Sequence, residues 1–449
     1  MLRKSQPGTA TAIASIAAIL VACSADSPTV TSPAAGALSF DRSEEGSGSF
    51  KFTPLASSAV CTIPGGNPVK PFVIPAGYEQ EVIASEPDYA DAGDMNTQNE
   101  NGPQAGRYLY RPHEAGSNAT VSVTDLKTGV TKTIAQRADW ESFDPSVWTP
   151  WGTLLVAEET NAARVRDPQY PHAVGGLVYE LVPSKSDPSV IDRIITRPAI
   201  GAKAHEGMRF DPQGNLYSIS ERTPGYIFKF IPDRKGDLSS GQTYVLHVVR
   251  PDGDRTGDAE WIPLDRAAVQ IDASAAADAV GATGYGRPED VETATSTGND
   301  RGGSNVLYVA ITSEHRVLAI DLHAPNGEAD HGTARVSDYV RVGLNVGPEF
   351  SWPDNLALDR AGNLYIAEDP GGSFATKRQG DDIWVAAPNK GSHGPAASVV
   401  RFASLTDCDA EPTGIYFDLR RNRLFVNAQH RGGDGLDKTM AIQPLPSDE

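Results

Sequence analysis

The hydrophobic and polar positions follow a repeated order along this chain. An apolar stretch leads through a turn, usually marked by Asp, into an aromatic and apolar strand that ends in polar groups, most of them carboxylates. The copies join residues 143–145 to 154–159, 210–217 to 220–221, 358–365 to 368–369, and 417–419 to 424–427. A unit repeated at roughly 60 to 70 residues predicts a β-propeller, which aims equivalent strand ends at one axial channel.

Other short apolar runs support an all-β fold class. They are rich in β-branched and aromatic residues, are bounded by Gly, Asp, Asn and Pro, and occur at 81–84, 120–123, 177–181, 226–230, 306–310 and 383–386. Only 265–280 has a composition that predicts a short helix. Two long polar stretches, about 90–104 and 293–303, are predicted to be insertions between strands.

The N-terminus has the pattern of an export signal. Arg3 and Lys4 precede an apolar run of about 13 residues, which is too short for a comfortable membrane span. The small residues before Cys23 predict a lipoprotein signal over 1–22 with acylation of Cys23, and Ser24 favours transport to an outer membrane. Plain cleavage with release of a secreted product is the alternative. We therefore expect an exported bacterial lipoprotein of the outer membrane, periplasm or cell surface, with membrane contact only through its lipid.

Composition then divides the rest of the chain. Residues 23–60 are rich in Ser, Pro and Ala and predict a tether, because they cannot bury enough apolar surface to fold. Residues 61–449 are predicted to form a single propeller domain, and closed propellers are often monomers. The net charge of −19 and the pI near 4.9 argue against binding to nucleic acid or anionic lipid, and they suit divalent cations.

Two cysteines remain once Cys23 is set aside. In an exported chain Cys61 and Cys408 most simply pair as a disulfide that joins the first part of the domain to the last. A free buried pair is the alternative. Neither cysteine has the spacing of a metal ligand.

Several segments combine a carboxylate or an amide with Pro, Gly or Trp, which fix a backbone turn. They lie at 110–114, 148–159, 204–207, 286–290, 352–355, 411–414 and 427–430. Hard cations such as calcium take six to eight oxygen ligands and gain affinity when separate segments hold those oxygens in place. The set predicts an oxygen-ligand metal site.

These segments, in this order, resemble the PhoX family of bacterial alkaline phosphatases. The resemblance rests on Thr-Pro-Trp-Gly-Thr at 149–153 with Glu158 and Glu159, on His205-Glu206-Gly207, Arg287-Pro288-Glu289 and Pro353-Asp354-Asn355, and on the Asn-Ala-Gln-His run at 427–430. It runs from about residue 110 to the end of the chain. It implies a six-bladed propeller whose centre holds calcium and iron ions around an oxo group and hydrolyses small phosphomonoesters.

The resemblance also implies roles for individual residues. Glu159, Glu206, Glu289 and Asp354 would be metal ligands, and Arg287 would be the catalytic residue that binds the substrate phosphate. Further candidates for the site are Glu114, Asp144, Glu158, His205, Asn355, Glu368, Asp369, Glu411, Gln429 and His430. Since Glu158 and Glu159 are adjacent in a strand, only one of them can face the axis directly.

Asp144 departs from the family's pattern. It stands where the family carries a cysteine that bridges two irons, and a hard carboxylate favours an all-calcium or mixed oxygen-ligand cluster over a di-iron centre. The family's Asn-His-Glu segment is also altered here, to Pro112-His113-Glu114.

Three functions remain open from the sequence. The first is a metal-dependent phosphatase, favoured by the Thr-Pro-Trp-Gly-Thr and Arg-Pro-Glu segments. The second is a calcium-dependent lactonase of the gluconolactonase type, because Gly-Asn-Leu-Tyr repeats and Pro-Asp-Asn also occur in that class of propeller. The third is a lipid-anchored binding propeller with structural calcium and no turnover.

Overall fold

A computed structural model describes residues 50–63, 66–293, 305–322, 332–370, 379–389, 394–419, 423–431 and 435–446. The predicted signal over 1–22, the acylation site Cys23 and most of the tether lie outside the described residues. All described residues belong to one compact unit, Gly46–Glu449. Within these ranges, no helix is long and apolar enough to cross a membrane.

The described chain forms 26 strands and one α-helix. The first ten strands are β1 (Phe72–Val73), β2 (Tyr78–Ser85), β3 (Thr97–Gln98), β4 (Tyr108–Pro112), β5 (Thr120–Asp125), β6 (Val130–Gln136), β7 (Phe143–Trp148), β8 (Leu154–Glu158), β9 (Val178–Pro183) and β10 (Ile191–Thr196). The middle of the chain contains β11 (Met208–Phe210), β12 (Leu216–Ile219), β13 (Ile227–Arg234), β14 (Asp237–Pro251), β15 (Gly257–Pro263), the helix α1 (Val269–Ala279), β16 (Pro288–Thr293), β17 (Val306–Ile311), β18 (Arg316–Asp321) and β19 (Thr333–Arg341). The last strands are β20 (Pro353–Leu358), β21 (Leu364–Glu368), β22 (Asp382–Ala387), β23 (Ser398–Leu405), β24 (Glu411–Phe417), β25 (Leu424–Gln429) and β26 (Lys438–Pro444).

These strands form five described antiparallel sheets in a propeller-like arrangement. Four have the orders β3-β4-β5-β6, β10-β9-β8-β7, β1-β23-β22-β21-β20 and β2-β26-β25-β24. The fifth has nine strands, because β15 pairs with both β14 and β19 and so joins the meanders β11–β14 and β16–β19 edge to edge. Six separate sheets, as expected for six blades, are therefore not seen among the described strands.

The first strand of each meander packs against the first strand of the next. Contacts join β3 to β7, β7 to β11, β11 to β16, β16 to β20 and β20 to β24. The Asn96 side-chain amide donates to the Gly414 carbonyl at 2.8 Å and so links the start of this series to its end. The first strands therefore surround a common axis.

The repeated turn explains why equivalent hairpins recur. Asp211 accepts hydrogen bonds from the Asn215 backbone at 2.8 Å and from its side chain at 2.7 Å, and Asp359 accepts the same pair from Asn363. The intervening Gly214 has φ +88°, a conformation that favours glycine. These aspartates build the turn, which sets the register of the hairpin that follows.

Apolar side chains fill the space between neighbouring sheets. Val147 and Leu155 of one sheet pack with Met208, Phe210 and Phe230 of the next. The helix predicted at 265–280 is present as α1 and packs on the outer part of the nine-stranded sheet. The stretch predicted as an insertion at 90–104 contains β3, which is too short to give a clear pattern of alternation in the sequence.

The two ends of the folded chain are joined twice. Strand β2 pairs with β26, from Tyr78 opposite Pro444 to Ser85 opposite Lys438. A disulfide connects Cys61 and Cys408, which are 347 residues apart in sequence. Both links hold the N-terminal part of the fold against its C-terminal sheets.

Replacing Cys61 and Cys408 with serine should lower the free energy of unfolding by about 2–5 kcal/mol, because the cross-link restricts the unfolded chain over a long loop. Urea unfolding with and without reductant measures the effect. Reductant should destabilise the unmodified protein and leave the double variant unaffected. An unchanged unfolding midpoint in the double variant would contradict this stabilising role.

Candidate metal centre

Carboxylates stand at the beginning of the first strand of each meander. Asp94 precedes β3, Asp144 is the second residue of β7, Glu206 precedes β11, Glu289 is the second residue of β16, Asp354 is the second residue of β20, and Glu411 begins β24. Since the first strands surround one axis, these side chains converge at one end of it.

Local shifts of register accompany several of these carboxylates. The strand pairing shifts between Phe143 and Ser146, on either side of Asp144. It shifts in the same way between Pro288 and Val291 around Glu289, and between Pro353 and Leu356 around Asp354. Proline lies beside each of the three and cannot donate to the ladder, so regular pairing is interrupted there. A bulge of this kind re-aims a side chain, here toward the axis.

Three groups of carboxylates form a continuous line. They are Asp94 with Glu114 and Asp144, Asp144 with Glu159 and Glu206, and Glu206 with Glu289 and Asp354. Within each group the candidate ligand oxygens all lie within 4.8 Å of one another. Asp144 and Glu206 each belong to two groups, so neighbouring positions share a carboxylate.

Burial and mutual repulsion favour neutralisation of the carboxylates in this line by protons or cations. Asp144 and Glu206 are each 4 % exposed. Burial raises the pKa of both carboxyls well above the usual range, and the charges of neighbouring carboxylates, chiefly Asp94 for Asp144 and Asp354 for Glu206, raise it further. The pKa values of Asp94, Glu289 and Asp354 are raised well above normal in the same way, first by burial and then by neighbouring acids. Ionised carboxylates therefore need cations here.

The hydrogen bonding of the line fits that requirement. No donor among the described residues reaches the buried Oδ1 atoms of Asp94 and Asp144. A buried oxygen without a donor is costly, and hard divalent cations prefer carboxylate oxygens. The residues present therefore fit an oxygen-ligand metal cluster.

Arg287 lies at the rim of the line with its side chain 35 % exposed. Its Nε atom is 2.5 Å from Glu221 Oε1 and 2.8 Å from Glu289 Oε1, and its Nη2 atom is 3.6 Å from Asp369 Oδ2. The backbone at Arg287 has φ +57°, directly before Pro288. The guanidinium group of Arg287 therefore lies between the cluster and solvent.

Other predicted residues surround the cluster as partners. Gln429 Nε2 donates to Glu114 Oε2 at 2.7 Å, and His430 Nε2 lies 3.4 Å from Glu411 Oε1. The Asn355 side chain donates to Asp354 Oδ1 at 3.2 Å and accepts a hydrogen bond from the Gly414 backbone. These contacts orient Asp354 and Glu411 of the first strands and Glu114, which follows β4.

Three predicted residues are not brought into the line. Glu158 accepts from the Leu177 backbone at 3.1 Å within its own sheet, and burial raises its pKa to about 8. His205 is fully buried and its Nε2 lies 3.0 Å from the Gly201 carbonyl. Glu368 accepts from Trp384 Nε1 at 2.8 Å. In each case the side chain points into a sheet or a packed layer. For Glu158 and Glu368, which end β8 and β21, strand alternation requires this of the residue beside an axial one.

Two residues near the line were missed from the sequence. Asp94 lies in the stretch interpreted as an insertion, so its position at the start of a first strand was not recognised. Glu221 lies shortly after β12, as Asp369 lies directly after β21 in the later repeat, and this equivalence was the available signal. Burial raises the pKa of Glu221, while Arg287 lowers it.

A second layer of polar contacts holds the bulges in place. Asp290 accepts from the Val291 backbone at 2.7 Å and, across the sheets, from the Leu356 backbone at 2.9 Å. Arg209 Nη2 lies 3.8 Å from Asp290 and its Nε donates to Glu292 at 3.2 Å. The segments that carry Glu289 and Asp354 are thereby fixed relative to each other.

A cavity lies outside the line. It has a volume of about 820 Å³ and is lined by residues that include His315, Trp352, Glu368, Asp382 and Arg401. The carboxylates of the line are not among its lining residues.

Fold and site together define a propeller-like, all-β protein with a carboxylate-rich centre suited to metal ions. Residues 147–432 match the family described as alkaline phosphatase PhoX. This match covers more than half of the chain, which therefore belongs to the PhoX family. Membership places it among the phosphoric ester hydrolases.

A solved structure supports the fold. The structure of Pseudomonas fluorescens PhoX in complex with vanadate, a transition state analogue, has a TM-score of 0.63 and 18 % identity, over 88 % of this chain and 98 % of that one. A gluconolactonase from Xanthomonas campestris has a TM-score of 0.44 and 12 % identity, over 88 % of this chain and all of that one. A comparison with curated proteins gives no significant match.

Removing the metal should make stability fall as pH rises. The cluster carboxyls have folded pKa values raised above the ordinary value of about 4, so the metal-free native state binds more protons than the unfolded state and loses stability above that pH. The melting temperature, measured in chelator and in excess calcium between about pH 5 and pH 8, should differ most at the alkaline end.

Sodium chloride at matched ionic strength is the control, because screening alone should not reproduce the effect of calcium. A metal-free protein that gains stability as pH rises through this interval would contradict the electrostatic account.

Proposed function

We propose that this chain is a metal-dependent phosphatase that hydrolyses small phosphate esters at the carboxylate line. The observation that carries the proposal is the juxtaposition of three linked carboxylate groups with Arg287 at their rim. The reaction needs positive charge around the phosphate oxygens, and this arrangement supplies both sites for cations and a fixed guanidinium group.

The residues divide between holding metal and binding substrate. Asp94, Glu114, Asp144, Glu159, Glu206, Glu289 and Asp354 would hold the ions. Bound divalent cations neutralise phosphate oxygens and favour formation of an oxygen nucleophile from water. Arg287 would donate two parallel hydrogen bonds to the phosphate, in competition with its present partners Glu221 and Asp369. No nucleophile from the protein is then required.

The chemistry of Asp144 favours calcium over iron. Its carboxylate belongs to two of the three groups, so it would contribute to both. Hard oxygen ligands suit calcium, whereas a thiolate in this place would favour a softer transition metal. We propose a cluster of calcium ions, with iron at most a minor component.

Several broader features complete the proposal. The meanders β11–β14 and β16–β19 would count as two blades, which gives a six-bladed propeller. The N-terminal pattern supports an exported lipoprotein tethered to a bacterial membrane by Cys23, and the closed ring of sheets suits a monomer.

Replacing Arg287 with alanine should reduce turnover of a nitrophenyl phosphate by about 10²-fold to 10³-fold, because a donor aimed at the charged group is lost. Calcium content, measured by elemental analysis, should stay the same. Arg287→Lys should recover only part of the activity, since lysine lacks the planar fork. The matched control is Arg222→Ala, which removes an arginine that pairs instead with Asp278.

Retention of full activity in Arg287→Ala would show that Arg287 does not bind the phosphate. The same preparations, assayed with a lactone, test the gluconolactonase-type alternative. Absence of turnover on both substrates with calcium and iron supplied would favour the non-catalytic binding propeller.

The identity of the metal is tested at Asp144. Protein refolded or expressed with both metals present should contain calcium and little iron, and Asp144→Cys should raise the iron content, because a thiolate ligand replaces a hard carboxylate. Elemental analysis measures both metals in each preparation. Stoichiometric iron in the unmodified protein would contradict the proposed calcium cluster.

A further inference from the structure

A second group of carboxylates lies apart from the line. Glu86, Asp91 and Asp437 each offer an oxygen within 4.8 Å of the others, and none of them belongs to the three central groups. Glu86 directly follows β2, and Asp437 directly precedes β26. We call these three residues the closing cluster, because β2 and β26 are the strand pair that joins the two ends of the fold.

One oxygen of the buried member of the closing cluster lacks a hydrogen-bond donor among the described residues. Asp437 is only 2 % exposed. Its Oδ1 accepts a hydrogen bond from the Arg431 backbone at 3.3 Å, but no donor in the described part of the chain reaches its buried Oδ2. An oxygen buried in this way costs free energy unless water or a cation satisfies it. The missing hydrogen bond at Oδ2 is an observation separate from the proximity of the three carboxylates.

The charges in the closing cluster repel one another. Burial raises the pKa of Glu86, and Asp437 and Asp91 raise it further, although the Asp437 backbone and Lys438 act in the opposite direction. Burial also raises the pKa of Asp437, with Asp91 adding to the effect and His430 opposing it. A bound cation would relieve this repulsion.

Short contacts connect the closing cluster to the central line. The Glu114 backbone donates to the Ala92 carbonyl at 2.9 Å, and the Asp94 backbone donates to the Pro112 carbonyl at 3.1 Å. Asp91 therefore begins a short segment that ends at Asp94 and runs beside the segment carrying Glu114. An ion held by Asp91 would fix the backbone that positions both central carboxylates.

We propose that Glu86, Asp91 and Asp437 bind a calcium-type divalent cation that clamps β2 to β26 and steadies the segment leading to Asp94. The donors are all oxygens from separate segments, which suits calcium, and water would complete the six to eight ligands. The site is structural and does not depend on the proposed phosphatase activity.

The test compares the double variant Glu86→Gln/Asp91→Asn with the matched control Asp88→Asn, which removes an exposed carboxylate from the same loop. Full-length proteins are equilibrated with calcium and analysed for bound calcium per chain. The double variant should bind one ion fewer than the unmodified protein and show a smaller calcium-induced rise in melting temperature. The control should match the unmodified protein in both.

Equal calcium content in the double variant and the control would overturn the proposal and leave Lys438 as the counter-charge of the cluster. Should the double variant fail to fold, crystals of the unmodified protein grown with calcium decide the question. An anomalous peak among the three carboxylates supports the site, and its absence overturns it. Because this peak is separate from any peak at the central line, the result does not depend on phosphatase turnover.

Discussion

Repulsion among buried carboxylates is the interaction on which this structure depends. The line from Asp94 to Asp354 places ionisable groups close together where solvent is excluded, and the desolvation of each charge costs several kcal/mol in real proteins. Arg287 lies at one rim and cannot neutralise them all. The fold must therefore gain protons or cations, and at neutral pH cations that bind carboxylate oxygens are the better partners. In the proposed function, folding, metal binding and chemistry are for this reason linked in the same residues.

The antiparallel hairpin explains why the sequence revealed part of this site. In such a pair, the end of the second strand lies beside the start of the first. The repeated pattern drew attention to the ends of second strands, where Glu159 and Asp369 occur. The converging carboxylates Asp144, Glu289 and Asp354 stand instead at the starts of first strands. They were found through neighbouring prolines and a family resemblance, because no hydrophobic alternation marks a bulge.

What the sequence could not supply is the relation between separate hairpins. Asp94 precedes a strand of two residues, which is too short for periodicity to detect, although its neighbour in space, Glu114, was predicted. The pairing of β15 with both β14 and β19, which joins two meanders, was also not predicted. Such edge pairing depends on how far β14 and β15 extend past the strands beside them. In contrast, the all-β class and the turn built by Asp211 depend on local pattern alone and could be predicted directly.

The position of Asp144 shows how one substitution can change a site without changing the fold. Its bulge, its proline neighbour and its contact with two carboxylate groups depend on backbone geometry that a cysteine would also accept. In the proposed cluster the side chain would decide which ions the shared position prefers, because a carboxylate is a hard ligand with two oxygens and a thiolate is a soft ligand with one sulfur. A propeller of this kind can therefore keep its ring of first strands while the chemistry at its centre diverges.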